Sequence, residues 1–499
     1  MTRRLISLAF AALALFGGES RAQGPTPPAD YDGRGNTYVV RIDEGASRAE
    51  IEADVWLPTN SLAMFGVSPT STHANGQADF IRGLKVTGTD GRVLSIKDLG
   101  EGDYELGGQG RVRLRYDIAL EHDQYAWPAG IEEVAYHTDE GLMATGYALL
   151  LAPGEAMQGA IDIRFELPKG WKAQTPWESR GENRFAVPNR RELLNNALFF
   201  GTAPAETLDV GGVRLTLVLG KRYRASKDLF VELLSKQMAS YREIFGADPL
   251  SKRYLIIVNQ GRDDGGAYAS SFSQLIGGDA SADNRLGWGY VMAHELLHFW
   301  NGLSLTPTDA REEWLKEGWT DYLTVTTQAR NGLVDQNRFH WRLENIARRY
   351  LFARHGQHLG MSVRDAGADK QPNRELIYGG GSLTGFAFDV ELRKASQGKV
   401  GLPELMRSLY AEFGKPGRTY ALADVERHAK ALTGKDFRDF FARAVESTEY
   451  FDARPWFEDV GLRLDNYLFD ESYVRPSPDA TAKQKQRFRD IFGTQVAAP

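Results

Sequence analysis

Two histidines four residues apart, His294 and His298 in His294-Glu295-Leu296-Leu297-His298, lie one turn apart on one helix face, and Glu317 on a second helix can be brought to the same point. This pattern constrains the fold more than any other feature of the chain, because two consecutive helices must present side chains to a common centre. Residues Leu286 to Asn301 lack proline, and Met292, Leu296 and Phe299 recur at helical spacing as a core-facing stripe. The histidines therefore fall on a different face. Asn301-Gly302 offers a C-terminal stop, and Thr308, Asp309 and Glu312 read as the start of the second helix, with Asp309-x-x-Glu312 as its capping pair. On that helix Leu315, Trp319 and Tyr322 form the apolar stripe, while Glu313, Glu317 and Asp321 share the other side.

His294, His298 and Glu317 make up the two-His, one-carboxylate ligand set of a catalytic zinc, one ion with an open fourth position. Glu295, on the flank of the pair, is placed to take a proton from the attacking water instead of ligating the ion. Asp321, one turn beyond Glu317, can orient a ligand imidazole through its N–H, and Asn301 is assigned to the same supporting layer. With nine His in 499 residues, the pentapeptide alone would arise by chance in roughly one such chain in a hundred. The competing reading is a surface helix carrying unrelated His and Glu. The helical context and the third ligand, a carboxylate at the right phase, weigh against it.

Eighteen residues separate His298 from Glu317, and this spacing, with Glu317-Gly318-Trp319-Thr320-Asp321, resembles the gluzincin metallopeptidases. Within them, H-E-L-L-H-F-W-N from His294 to Asn301 and W-L-K-E-G-W-T-D-Y from Trp314 to Tyr322 resemble the glycyl aminopeptidase family. Asp162 to Trp171 is similar to the end of that family's amino-terminal β domain, and Tyr378-Gly379-Gly380-Gly381 is similar to its Tyr-x-x-Gly element. The resemblance implies that Tyr378 donates a hydrogen bond to the oxyanion of the tetrahedral intermediate. Two departures accompany it. Relatives carry a Gly-Gly-x-Glu-His strand whose Glu is expected to contact the substrate amine, and here Gly265-Gly266-Ala267-Tyr268-Ala269 places tyrosine there. The PDZ domain that usually follows in the family is expected to be absent, since only a short tail remains after Gly461-Leu462.

The first residues read as an export signal. Met1-Thr2-Arg3-Arg4 precedes a twelve-residue apolar run from Leu5 to Phe16 and the small-x-small pattern Ser20-Arg21-Ala22, a secretory signal peptide with expected cleavage after Ala22 and too short for a membrane span. A periplasmic or secreted location follows, by general or twin-arginine export, with no stable membrane span after cleavage. The chain has no cysteine, so it can form no disulfide and no lipid-modified cysteine anchor, and a metal site must use N and O ligands. Removing residues 1–22 takes away three Arg and one Glu, moving the formal charge from -6 to -8. That mild acidity argues against a nucleic-acid partner.

At 499 residues with 42% hydrophobic content the chain can bury large cores and divide into several domains. The expected class is α+β multidomain. After the signal (1–22) and a Pro-rich leader (23–37), short alternating runs such as Tyr38 to Ile42, Ile51 to Trp56 and Val112 to Tyr116 predict an N-terminal antiparallel β domain over 38–208. A thermolysin-like catalytic lobe is expected over 209–330, with a helix from Ser226 to Phe245, a buried strand Tyr254 to Val258 and an edge strand from Gly265 to Ile276. Along that edge an extended peptide could pair, which makes Gly266, Ala267, Tyr268 and Ala269 candidate substrate contacts; an ordinary sheet edge with a packed tyrosine is the equal alternative. A C-terminal helical lobe is expected over 331–465, with Leu383, Phe386 and Val390, then Leu405, Leu409 and Phe413, then Val425 and Leu432 at helical spacing. His428 reads as a packed histidine, and His340, His355 and His358 as surface residues. The tail, 466–499, ends in a charged stretch from Lys483 to Arg489, a solvated helix or ordering arm.

These residues point to zinc-dependent hydrolysis of a peptide or protein substrate. Two alternatives stand beside an aminopeptidase: an endopeptidase of the same fold, and a zinc-holding but catalytically silent peptide-binding protein.

Overall fold

The computed structural model describes residues 31–66, 72–120, 135–357, 360–467 and 471–499. The expected signal peptide and His358 lie outside the described residues. The chain divides into two compact units: Met1–Lys227 with Ser251–Ala280, and Asp228–Leu250 with Ser281–Pro499. β-Sheets fill the N-terminal part and helices dominate the C-terminal part, a mixed α/β architecture.

The first unit is organised around a seven-stranded sheet. Its strands are β1 (Asn36–Ile42), β2 (Arg48–Leu57), β3 (Ile81–Gly88), β4 (Gly110–Ala119), β5 (Ile161–Glu166), β6 (Glu178–Gly181) and β7 (Arg184–Val187), in the order β6-β7-β5-β1-β2-β4-β3. The period-2 pattern is plain in β2, where Ala49, Ile51, Ala53 and Val55 are buried and the residues between them are not. The expected all-antiparallel pairing fails at one place: β1 and β5 run parallel, with Val40 opposite Phe165. Alternation identifies a strand without fixing its direction, and a parallel pair needs only a long connection, which β2 to β4 supply.

A five-stranded sheet in the same unit contains β8 (Ala205–Val210), β9 (Val213–Leu219), β10 (Arg253–Gln260), β11 (Asp264–Ala267) and β12 (Ser271–Ile276), ordered β8-β9-β10-β12-β11. The stretch read as one edge strand from Gly265 to Ile276 is two strands. β11 is the edge, while β12 lies inside, paired parallel to β10. Tyr268 to Ser270 form the turn between them, with the Tyr268 N–H donating to Ser271 O at 2.7 Å.

The second unit contains α1 (Lys227–Phe245, all but its first residue), α2 (Arg285–Leu297), α3 (Trp319–Arg330), α4 (Gln336–Phe352), α5 (Arg374–Ala395), α6 (Leu402–Phe413), α7 (Leu422–Thr433) and α8 (Ala482–Phe492). The expected stripes are buried on α5 and α6; on α7 Val425 is buried but Leu432 is exposed. The tail is more firmly built than its charge implies. A hairpin of Leu462–Tyr467 with Glu471–Pro476 leads to α8, which buries Phe488, Ile491 and Phe492 and sets Phe492 4.8 Å from the Phe339 ring centroid. Lysines on one face of an amphipathic helix hid its apolar face in the sequence. Among the described residues no helix is long and apolar enough to cross a membrane.

Candidate metal centre

Helix α2 carries His294 in its last turn and stops at Leu297, with His298 as the capping residue whose N–H donates to His294 O at 3.3 Å. Gly302 then takes a φ of +117°, which lets the chain turn back. Met292, Leu296 and Phe299 are buried as the spacing requires.

The second ligand-bearing segment differs from a continuous helix. Asp309 caps a short 3₁₀ turn, Ala310–Glu312, by accepting from the Arg311 N–H at 2.8 Å. Glu312 does not close the expected capping pair; it is fully buried and accepts from Arg364 at 2.6 Å and from the Trp314 indole at 3.1 Å. Trp314–Gly318 form a π-helical turn before α3 begins, and Glu317 lies within it. Such wide turns reposition a side chain relative to the regular helix that follows. Asn301 fixes this turn: its side-chain amide donates to Leu315 O, Lys316 O and Thr320 Oγ1, each at 3.1 Å.

Three candidate ligand atoms converge. His294 Nε2 and His298 Nε2 are 3.0 Å apart, and Glu317 Oε2 is 3.3 Å from the first and 3.2 Å from the second. All three residues are buried. The tautomers follow from the opposite ring atoms. His298 Nδ1 donates to Asn301 O at 2.9 Å, and His294 Nδ1 faces Asp321 Oδ1 at 2.8 Å, so both Nε2 lone pairs are left for the centre. Asp321 in turn accepts from Tyr290 Oη at 2.7 Å and from Arg349 at 3.3 Å, and Arg349 continues to Glu375 on α5 at 2.6 Å. A tetrahedral zinc with ligand bonds of about 2.0–2.1 Å sets its ligands roughly 3.3 Å apart, so the trio fits that ion.

The electrostatics agree with a cation site. Burial pulls the His294 pKa down, but the Asp321 and Glu317 carboxylates outweigh it and push it up to about 10. Burial would raise Glu317; Lys370, His298 and Lys316 outweigh that and hold it well below the usual carboxylate range. Asp321 is likewise held down against burial by His294, Arg349 and Tyr290. The Glu295 carboxylate, half-buried beside the trio on α2, takes part in no hydrogen bond among the described residues.

Tyr378, near the start of α5, stacks on His294 with ring centroids 5.9 Å apart and 19° between planes. Burial, reinforced by Glu317, raises its pKa, which keeps the phenol a donor. The glycines that follow it are a packing requirement. A Cβ at Gly379 would come within 2.6 Å of Tyr350 N, at Gly380 within 2.7 Å of a Val363 methyl, and at Gly381 within 2.5 Å of Trp314 O. Gly318 and Gly381 also face each other so closely that neither tolerates a side chain.

The structure thus brings together His294, Glu295, His298, Asn301, Glu317, Asp321 and Tyr378 within one unit. Gly266, Ala267, Tyr268 and Ala269 belong to the other unit. Gly266 and Ala267 are half-buried on β11, whereas the Tyr268 side chain is 3% exposed and packs in that unit's hydrophobic core. Of the other histidines, His428 is buried between Ser408 Oγ at 2.7 Å and Glu412 at 3.0 Å; His340 is half-buried beside Gln336, and His355 is exposed. Sequence reasoning missed Tyr290, Arg349 and Lys370. Tyr290 stands one turn before His294 on the same face and was within reach of helical phase; the other two come from distant segments with no local signal.

Comparison with known families places this centre. Residues 50–202 match the Peptidase M61 N-terminal domain, and residues 289–379 match the M61 glycyl aminopeptidase domain. The matched regions are those of a peptidase family, and the second of them contains the His294, His298 and Glu317 group that could hold a metal ion. More particularly, the chain resembles the M61 glycyl aminopeptidases in both of those regions. Among solved structures, an aminopeptidase N family protein from Idiomarina loihiensis superposes with a TM-score of 0.73 at 19% identity, covering 86% of this chain and 79% of its own. An M1 zinc metallopeptidase from Deinococcus radiodurans superposes with a TM-score of 0.56 at 14% identity over 87% of this chain and 98% of its own. A mutant form of that enzyme bound to a Tyr-Ser-Ala substrate gives 0.54 at 14% identity over the same shares. These likenesses establish an aminopeptidase-like fold. No curated protein matches the chain.

Proposed function

We propose that the protein is an exported peptidase that holds one zinc ion through His294 Nε2, His298 Nε2 and Glu317 Oε2 and hydrolyses peptide bonds, within a lobe of thermolysin-like character. The observation that carries the reading is the convergence of those three atoms at 3.0–3.3 Å, with both imidazoles anchored through Nδ1. Zinc bound there supplies Lewis acidity to the attacking water and the scissile carbonyl. Glu295 takes the water's proton as the C–O bond forms and delivers it to the leaving amine as the C–N bond breaks. Tyr378 Oη donates to the carbonyl oxygen as it becomes anionic, and the raised phenol pKa keeps that donor in place. Asp321 and the Asn301 carbonyl hold the two imidazoles in the orientation the centre needs.

The family resemblance favours an aminopeptidase. A second reading, an endopeptidase of the same fold, is favoured by one observation: the position where relatives carry an amine-reading Glu is Tyr268, whose side chain is committed to the core. Secretion follows from the signal-like residues 1–22. The deciding experiment pairs metal analysis with cleavage of matched peptides carrying free or acetylated amino termini. Stoichiometric zinc and hydrolysis abolished by chelation and restored by zinc support the peptidase; a zinc-loaded protein that cleaves neither peptide is the silent binder. Rejection of the acetylated peptide identifies an aminopeptidase, and equal cleavage an endopeptidase.

A further inference from the structure

Glu317 offers its two oxygens to opposite partners. Oε2 faces both imidazole Nε2 atoms, while Oε1 accepts from Lys370 Nζ at 2.5 Å and lies 3.2 Å from Lys316 Nζ. Glu313 holds both ammoniums in place, 3.2 Å from Lys370 and 3.3 Å from Lys316. The Glu317 side chain is 3% exposed, those of Glu313 and Lys316 12% and that of Lys370 23%, so the carboxylates are shielded while Lys370 keeps an edge toward solvent. Lys370 reaches it from the turn that precedes α5, far along the chain, so its place is set by tertiary packing rather than by helix neighbours.

We propose that Lys370, seconded by Lys316, is a positioning residue that commits Glu317 to the metal through one oxygen and lowers the centre's hold on the cation. The inference rests on the metal reading above. An ammonium seated on Oε1 occupies the lone pairs that a chelating carboxylate would turn toward a metal. It also withdraws electron density from the ligand and places a positive charge close to the site of a dication. Most groups behind metal ligands act in the opposite sense. Asp321, a carboxylate on the far side of His294, makes its imidazole a better donor and strengthens binding. The two supports of the same trio therefore pull metal affinity in opposite directions, and a merely structural lysine would not do so.

The test uses the full chain stripped of metal, titrated with zinc against a competing chromogenic chelator, with cobalt as a spectroscopic probe of coordination. Lys370→Met is expected to bind zinc about tenfold more tightly than the wild type and to show a weaker visible cobalt band, as Glu317 turns both oxygens to the ion and coordination rises above four. Lys370→Arg, which keeps the charge, is expected to stay near the wild type in both. Lys316→Met should move in the same direction by less, and it answers the question if Lys370→Met fails to fold without metal. Asp321→Asn in the same titration should bind more weakly. Zinc binding by Lys370→Met equal to or weaker than wild type, or an unaltered cobalt band, overturns the brace. A wild-type chain that takes up neither zinc nor cobalt stoichiometrically overturns the metal reading itself, a separate result.

Discussion

The same chemistry, carboxylate against cation, is used twice in this molecule with different consequences. On the seven-stranded sheet, Arg41 reaches Glu166, Glu50 and Glu52 across neighbouring strands at 2.6, 3.3 and 3.4 Å, and every partner is at least one-fifth exposed. At the candidate metal centre, Glu313, Glu317, Asp321, Lys316, Lys370 and Arg349 form a network whose carboxylates are only 3–12% exposed, with Lys370 and Arg349 at 23% and 24%. Water screens the first set and can replace any lost partner. The second cannot be rearranged so cheaply, because each removed charge strands another inside the protein. Burial, more than distance, separates charges that decorate a fold from charges that set the properties of a site.

The sharpest way to probe the buried set is Glu295→Gln, which should retain zinc and the fold but lose roughly 10²–10⁴-fold in kcat; near wild-type turnover in a zinc-replete variant would remove Glu295 as the base. Asp321→Asn comes next, with zinc affinity expected to fall about 10- to 100-fold, read by chelator competition. Unchanged affinity would reduce Asp321 to packing.

Arg111 and Asp32 test the middle ground, a pair in the β unit with one partner 3% and the other 25% exposed. Arg111→Met should cost about 2 kcal/mol in denaturant unfolding, less than the roughly 3–5 kcal/mol of a fully buried pair. This pair also has a pH signature. The hydrogen bond from Arg111 depresses the Asp32 pKa despite partial desolvation. A depressed folded value means that the contribution is complete above the unfolded aspartate value of about 3.9 and is lost as pH falls through the lower folded value. The wild type should therefore lose more stability than Arg111→Met on acidification below about pH 4. Parallel losses would deny the coupling. The smallest effect belongs to Arg41→Ala, expected within about 1 kcal/mol of wild type and smaller still in high salt. A larger, salt-independent loss would blur the contrast between the two regions.

Legibility in the sequence followed the range of the interaction. His294, Glu295 and His298 were readable because a helix fixes their spacing, and Glu317 and Asp321 because they recur at that period on the next segment. Tyr378 carried no period and emerged through family resemblance. The π turn that bears Glu317 left no trace, since nothing in Trp314 to Gly318 distinguishes a five-residue wide turn from ordinary helix. Lys370 and Arg349 were invisible for a related reason: each acts on a carboxylate from a distant segment, and only tertiary packing creates the pair. Strand alternation found β1 and β2 but could not show that β1 pairs parallel with β5. It also could not show that a hairpin divides Gly265 to Ile276. The tail reads as a solvated helix or an ordering arm, and the choice between them is obscured because Lys483, Lys485, Arg487 and Arg489 outnumber the three apolar residues that anchor α8.

The glycine run after Tyr378 leaves the last consequence. Glycine inside a helix costs about 0.5–1 kcal/mol per residue relative to alanine, yet here three stand in succession, each against a different neighbour. They act as a gauge of absent atoms. At Gly381 the helix that presents the phenol approaches the turn that presents Glu317 to within backbone thickness. The separation between Tyr378 and Glu317 is thereby machined by omission. A single methyl group at Gly381 would meet the Trp314 carbonyl at 2.5 Å and the Gly318 Cα at 2.9 Å, and so would force the two backbones apart.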